Sequence, residues 1–284
     1  MPLSEAQQKS VEKTLRDPYK GASSITEELA IVEADIKKAL GENHPLYNKT
    51  SQIHRFLIAR KLKLPDTLKM IEDHVAWRAA NLPVQITDPI ITELKKGKAE
   101  QYGLDASGRP LVLVRSGKFD PKVRDLHVAV SAVVWLVERA VASTDGEFTI
   151  LYDRTGFSLS KNWDYEYIKT VVSTLSDNYP ERLGAVYLYP ATMVLAGLWG
   201  LIRPFVDPRT REKVQIITSD KALLNLVPSE YVPVAAGGTS THMFDPAMYN
   251  SLKPGSITEE LVIVEAQPAE GQGIEEYAVT VNVS

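Results

Sequence analysis

The chain has 284 residues, 44% of them hydrophobic and 24% charged, the balance of a globular protein with a sizeable core. A formal net charge of −4 removes any global electrostatic case for nucleic acid, so attraction to phosphate has to be local. With no cysteine there is no disulfide, no thiolate metal site and no cysteine nucleophile.

The opening residues, MPLSEAQQKS, carry no apolar signal-peptide core, so a cytosolic protein is expected. Residues 1–50 are polar and helix-prone. Ile25, Leu29, Val32, Ile36 and Leu40 recur at spacings of three and four, which is one helix face. The stretch SITEELAIVEA from Ser24 nearly returns as SITEELVIVEA from Ser256, with ten of eleven letters identical. The likeness stops within a residue or two, so it is read as coincidence or a local duplication without functional meaning, and the second copy as a strand or extended tail. Leu68, Ile71, Val75 and Ala79 mark a second helix after Pro65, a residue suited to a first helical position. Thr87 or Asp88 should cap a short helix that Gly97 stops.

From Arg109 the texture changes. RPLVLV, EFTILYD, GAVYLYP and EKVQIIT read as strands. The helices between and after them are DLHVAVSAVVWLVERAVAS, DYEYIKTVVSTLSDNYP, ATMVLAGLWGLI and SDKALLNLV. Such alternation predicts an α/β fold built from parallel βαβ units. Within it, Leu183 to Ile202 runs 20 residues without a charge, close to the length that spans a bilayer. Pro190 interrupts it after a strand-like AVYLY and cannot donate an intrahelical hydrogen bond, so one spanning helix is not expected.

Familiar catalytic signatures are absent: there is no G-x-S-x-G, G-x-x-x-x-G-K-[ST], G-x-G-x-x-G or H-E-x-x-H. The five histidines, His44, His54, His74, His127 and His242, never pair at metal-ligand spacing. Asp153-Arg154 after a strand could be a carboxylate and a phosphate ligand, or a strand-end salt bridge or turn. Three charged stretches stand out: ARK at Ala59 to Lys61 in the N-terminal layer, YPERLG at Tyr179 to Gly184 at the start of the apolar run, and DPRTREK at Asp207 to Lys213 just after the apolar helix. Each alone is a solvated face. Together they offer the two things a lipid needs, a dry cavity and a charged rim.

These motifs carry a resemblance to the Sec14-like, CRAL-TRIO family of lipid-binding and lipid-transfer proteins. It rests on RFLIARK with Trp77-Arg78, D-x-x-G-R-P at Asp105 to Pro110, YPERLG, RPFVDPRTREK at Arg203 to Lys213, and VPVAAGG at Val232 to Gly238, in family order over about residues 50 to 240. The resemblance implies a CRAL-TRIO fold: a mostly parallel sheet flooring a lipid pocket, with an all-α N-terminal subdomain. Its parts would be a helical region over 1–97 (family-like from about 50), a lipid-binding domain over 98–246 and a C-terminal extension over 247–284. The helix after YPERLG would be a mobile gate, here Ala191 to Ile202, with Leu195, Leu198, Trp199 and Ile202 as its gate residues. Trp199 suits a water–lipid interface and equally a core.

By the same resemblance, Arg60, Lys61, Glu181, Arg182, Thr210 and Lys213 match the headgroup positions of members that bind phosphatidylinositol, with Arg55 a weaker seventh. Cations and a hydroxyl donate to a phosphodiester, and a carboxylate accepts from inositol hydroxyls. The matching sequence departs at a second, choline-lipid site: only Thr149 survives, Glu147 stands for a serine, and Val112 follows GRP where a tyrosine is usual. Glu147 would repel a phosphate if it pointed inward; Ser131 or Thr155 are alternative hydroxyls. The implied function is a monomeric, cytoplasmic, non-enzymatic carrier of phosphatidylinositol that touches membranes transiently, exchanges its cargo for a less polar lipid, and needs no metal, cofactor or nucleic acid. Alternatives are a carrier of a sterol, tocopherol, retinoid or squalene, a lipid-sensing regulator that docks a partner, and a haem-type cofactor binder.

Overall fold

The computed structural model describes residues 27–142 and 146–255. Four helices come first: α1 (Glu27–Leu40), α2 (Thr50–Ala59), α3 (Leu64–Asn81) and α4 (Asp88–Lys95). Helices α1 to α3 enclose their own core, in which Ile36, Ile53, Leu57 and Ile71 are fully buried. Of the stripe read over α1, Val32 and Leu40 pack beside Ile36, while Ile25 and the Leu29 side chain lie outside what is described. Leu68 and Val75 flank Ile71 in the same way, and Pro65 stands in the first turn of α3. Thr87 caps α4, its hydroxyl accepting from the Ile90 amide at 3.4 Å. Gly97, two residues beyond α4, takes φ 64°.

Strands β1 (Ala99–Leu104), β2 (Pro110–Arg115), β3 (Phe148–Asp153), β4 (Leu183–Tyr189) and β5 (Val214–Ile216) form one sheet in that order. β1 runs antiparallel to β2, and every later pair is parallel. β1 is the strand that sequence reading missed. AEQYGL buries Glu100 and Tyr102 on alternate positions, but one of these is charged and no apolar run announces it. β5 is shorter than EKVQIIT suggested, because Asp207 caps α9 (Pro208–Glu212) through the Arg209 and Thr210 amides and holds the chain helical up to the strand.

The uncharged run divides as Pro190 demands. Its first part is β4, and its second is α8 (Met193–Ile202), opened by Thr192, whose hydroxyl accepts from the Leu195 amide. No helix among the described residues is long and apolar enough to cross a membrane. The second copy of the duplicated stretch, and the alternating YAVTVNVS, lie outside the described residues.

Alternation gives the sheet two unlike faces. One carries Leu111, Leu113, Leu151, Ala185 and Tyr187, packed on Ile217, Leu223, Val227, Val232 and Ala236 of the C-terminal segment. That segment includes α10 (Asp220–Leu224), which ends three residues earlier than SDKALLNLV implied. On the other face, α5 (Leu126–Ala142) covers the β2 side: Val137 and Ala140 meet Val112, Phe148 and Tyr179. The rest of that face is left for α6 (Leu159–Asn162), α7 (Tyr165–Asn178) and α8.

VPVAAGG closes the core face. Gly237 takes φ 78°, and a Cβ on Gly238 would sit 1.9 Å from the Val232 carbonyl oxygen, a backbone atom that cannot swing aside. Gly238→Ala is therefore expected to destabilise the fold by roughly 1–3 kcal/mol, the usual cost of overpacking. Urea unfolding at unchanged m-value measures it.

Candidate functional site

Between the sheet and helices α7 and α8 lies a cavity of about 440 Å³, inside the ~300–1,000 Å³ range of small-molecule sites. Its floor is the even face of β3, Phe148, Ile150 and Tyr152, continued by Val186, Leu188 and Val214. Ile168, Val171, Val172 and Leu175, one face of α7, form a wall. Leu195, Leu198, Trp199 and Ile202 close it from α8 at spacings of three, one and three. All four predicted gate residues thus point into the cavity. The opposite side of α8 presents Gly197, Gly200 and Leu201 to solvent.

The mouth is polar and is made where three chain segments meet. ARK is the C-terminal turn of α2: Leu62 donates back to the Leu57 carbonyl at 2.8 Å, and Lys61 and Leu62 take positive φ of 52° and 63°. YPERLG is the turn into β4, and Glu181 takes φ 53° there. DPRTREK is α9. Arg209 ties the three together, donating to the Ile58 carbonyl at 2.8 Å and lying 3.4 Å from Glu181 Oε1. Burial pulls the Arg209 pKa down from its ordinary value. Lys213 Nζ donates to the Leu183 carbonyl at 2.6 Å and sits 3.3 Å from Glu181 Oε2. Glu181 so bridges two cations with one carboxylate. Arg60 and Thr210 line the same cavity.

Of the six headgroup positions read from sequence, four meet here: Arg60, Glu181, Thr210 and Lys213. Two do not. Left-handed Lys61 is turned outward and exposed. Arg182 donates to the Gly146 carbonyl at 3.1 Å and lines a second, polar groove of about 570 Å³ that also holds Arg55. Arg209 is the residue that sequence reading passed over. Its position between Pro208 and Thr210 was the available signal, since an N-capped turn there aims it back at α2.

The choline-site reading needs correcting. Thr149 is fully buried on the other face of β3, where its hydroxyl donates to Asp105 at 2.7 Å. Period two forces this, because Phe148 and Ile150 hold the cavity positions. Asp105 is the hub of D-x-x-G-R-P: it also accepts from the amides of Ser107 and Arg109 and pairs with the Arg109 guanidinium at 2.7 Å. Burial works to raise its pKa, but Thr149 and Arg109 more than reverse that, and the net direction is down. Glu147 does not point into the cavity either; it sits 3.4 Å from Arg109 Nη1. Neither Ser131 nor Thr155 lines the cavity. Asp153 and Arg154 are no salt bridge. Asp153 caps a turn by accepting from the Thr155 amide at 2.8 Å, and Arg154 enters the cavity.

Two histidines meet buried carboxylates. His54 lies 3.0 Å from Glu33, and His242 lies 3.1 Å from Glu100. Burial, then the Arg78 charge, pushes His74 down to about 4. Trp77-Arg78 docks the helical layer onto the body: Arg78 reaches both oxygens of Glu138 at 3.0 and 3.2 Å, Tyr179 donates to the same carboxylate at 2.7 Å, and Trp77 meets the Tyr179 ring edge-on at 5.9 Å.

A mostly parallel sheet that floors an apolar cavity, closed by one apolar helix and rimmed by cations, defines a binding protein for an apolar molecule with a polar end. The CRAL/TRIO domain matches residues 94–238, just over half of the 284 residues, and the chain belongs to that family. It is 26% identical over 207 residues to the phosphatidylinositol transfer protein CSR1 of Eremothecium gossypii, a match covering 67% of this chain and 47% of that protein. Against the phosphatidylinositol/phosphatidylcholine transfer protein SFH4 of Arabidopsis thaliana it is 26% identical over 262 residues, 82% of this chain and 42% of the other. The chain therefore spans about half the length of these relatives. Among solved structures, the crystal structure of Sfh5 matches with a TM-score of 0.55 at 18% identity, covering 88% of this chain and 97% of that one, a likeness of fold.

Helix α8 rests its apolar side on a cavity rather than on packed side chains, so it should open more readily than the sheet. Its amides are expected to exchange hydrogen faster than those of β3 and β4. Leu198→Asp, which puts a carboxylate into the apolar wall, should speed that exchange further and leave β3 protection unchanged. Equal protection of α8 and β3 in the parent protein would show that the helix does not open.

Proposed function

We propose that this protein is a cytoplasmic, monomeric carrier of phosphatidylinositol between membranes, acting by binding and release and not by catalysis. The observation that carries the reading is the joining of one apolar cavity to a rim of Arg60, Arg209, Lys213 and Thr210 around Glu181. The cations and the hydroxyl suit a phosphodiester, and Glu181 suits the inositol hydroxyls. The relatives' names agree with this cargo. An acyl chain of about 14 carbons loses on the order of 10 kcal/mol on leaving a bilayer for water, at about 0.8 kcal/mol per methylene. A carrier must replace that environment before release, and α8 is the element placed to do so. The second cargo is a less polar lipid, because the β3 side chains on the cavity floor offer no pair of small hydroxyls.

Lys213→Ala is expected to weaken phosphatidylinositol binding about tenfold or more, the worth of one charge-assisted hydrogen bond of roughly 1.5–3 kcal/mol. Lys213 is 22% exposed and belongs to no hydrophobic core cluster, so circular dichroism and melting temperature should move little. A vesicle-to-vesicle transfer assay that showed unchanged rates would remove the headgroup assignment.

The correction at Thr149 has its own consequence. Phosphatidylcholine finds no hydroxyl pair on the cavity floor, so its transfer should be weak beside that of phosphatidylinositol. Parallel assays with the two labelled lipids measure the ratio. Comparable rates would show that the choline headgroup is satisfied elsewhere.

A further inference from the structure

The rim is not the only charged part of the cavity. Arg154 is 7% exposed and belongs to its wall. It continues β3 by one residue, donating its amide to the Tyr189 carbonyl at 2.8 Å, and so it shares the cavity face with Phe148, Ile150 and Tyr152. One guanidinium nitrogen, Nη1, donates to the Pro190 carbonyl at 3.3 Å and to the Thr192 hydroxyl at 2.5 Å. The guanidinium lies over the Phe157 ring at 5.1 Å. Among the described residues no carboxylate pairs with it. Buried charges are ordinarily paired, because desolvating an ion is costly. Here the partners are two neutral oxygens on one nitrogen, leaving Nε and Nη2 as donors with no acceptor among the described residues.

Arg154 and the rim stand at opposite ends of the sheet. Lys213 precedes Val214, which pairs with Val186, and Arg154 follows Asp153, which pairs with Tyr189. They are thus five residue positions apart along β4, about 17 Å at ~3.3 Å per residue. That is close to one leaflet's share, about 15 Å, of a bilayer's ~30 Å hydrocarbon core.

We propose that the Arg154 pole is a second binding site, for the carboxylate of a long-chain fatty acid or a similar single-tailed anionic amphiphile. The carboxylate accepts from Nε and Nη2 of Arg154 in the side-on geometry that a guanidinium fork favours. The tail runs back over Ile150 and Val186 toward the rim. This cargo is held opposite in sense to phosphatidylinositol, with its polar end deep and its tail toward Lys213. It rests on the reading of the cavity as a lipid site, and it gives the less polar second cargo a chemical class. Because Arg154 also holds the Thr192 hydroxyl, an occupant there would bear directly on the first turn of α8.

The test compares oleate with oleyl alcohol, two probes with the same tail, by displacement of a fluorescent apolar dye from the full chain at pH 8. Wild type should bind oleate about tenfold or more tightly than the alcohol. Arg154→Met should erase that preference by bringing oleate affinity down to that of the alcohol, and Arg154→Lys should restore part of it. Equal affinity of wild type for both probes would overturn the Arg154 site while leaving the cavity reading intact. A preference that survives Arg154→Met but is lost in Lys213→Ala would overturn it too, by placing the anion at the rim. Displacement by neither probe would sink the apolar-cavity reading itself, and the site with it. The wild-type comparison needs no variant to fold.

Discussion

Everything in this molecule depends on a sheet whose two faces cannot both be filled in the same way. Alternation along β3 sends Leu151 and Thr149 to one side and Phe148, Ile150 and Tyr152 to the other. The first side is packed solid by the C-terminal segment. The second is apolar too, as strands of a parallel sheet must be, yet α5 covers only the β2 part of it. A buried apolar face without a protein partner needs either collapse or a ligand. The α7 and α8 walls stand off far enough to leave about 440 Å³, so the fold resolves the conflict with a cavity.

That cavity is useful only if its mouth is held in register, and the helical layer does this. Glu138 takes Arg78 and Tyr179 at once, so α3, α5 and the end of α7 are fixed to one another. Tyr179 is followed by Pro180 and Glu181, and the turn that leaves this anchor places the carboxylate between Arg209 and Lys213. Glu181 is held left-handed, a conformation that costs a non-glycine residue on the order of 1 kcal/mol. Its carboxylate meets Arg209 and Lys213, with all three side chains only 16–22% exposed, so contacts at the mouth hold that conformation.

Much of this was legible in the letters. Helix stripes such as Leu68–Ile71–Val75 and apolar strands such as GAVYLY announce themselves by period, and Pro190 marks where the uncharged run must break. Motif positions predicted which segments would form the mouth. They did not predict which side chain of each segment would face it. Lys61 and Arg182 sit next to Arg60 and Glu181, and at left-handed turns neighbouring side chains diverge by more than a period can tell. Thr149 failed for a simpler reason: a one-residue change of register moves a strand side chain to the opposite face. β1 was hidden because its buried positions include Glu100, which sequence alone codes as surface; His242 and Arg115 make its burial tolerable. Arg209 was hidden because its role is a contact across 151 residues, with the Ile58 carbonyl.

The apolar run from Leu183 to Ile202 is explained by what its helix faces. Leu195, Leu198, Trp199 and Ile202 need no protein core if a ligand's tail completes one, and each large apolar side chain so buried is worth roughly 1.5–3 kcal/mol. A lipid tail in the cavity would meet these side chains directly, so on the proposed carrier reading the seat of α8 would depend on occupancy. On its outer side, Gly197, Gly200 and Leu201 are exposed. Glycine inside a helix costs up to about 1 kcal/mol relative to alanine. Gly197 and Gly200 thus lower the intrinsic stability of α8, the helix that closes the cavity.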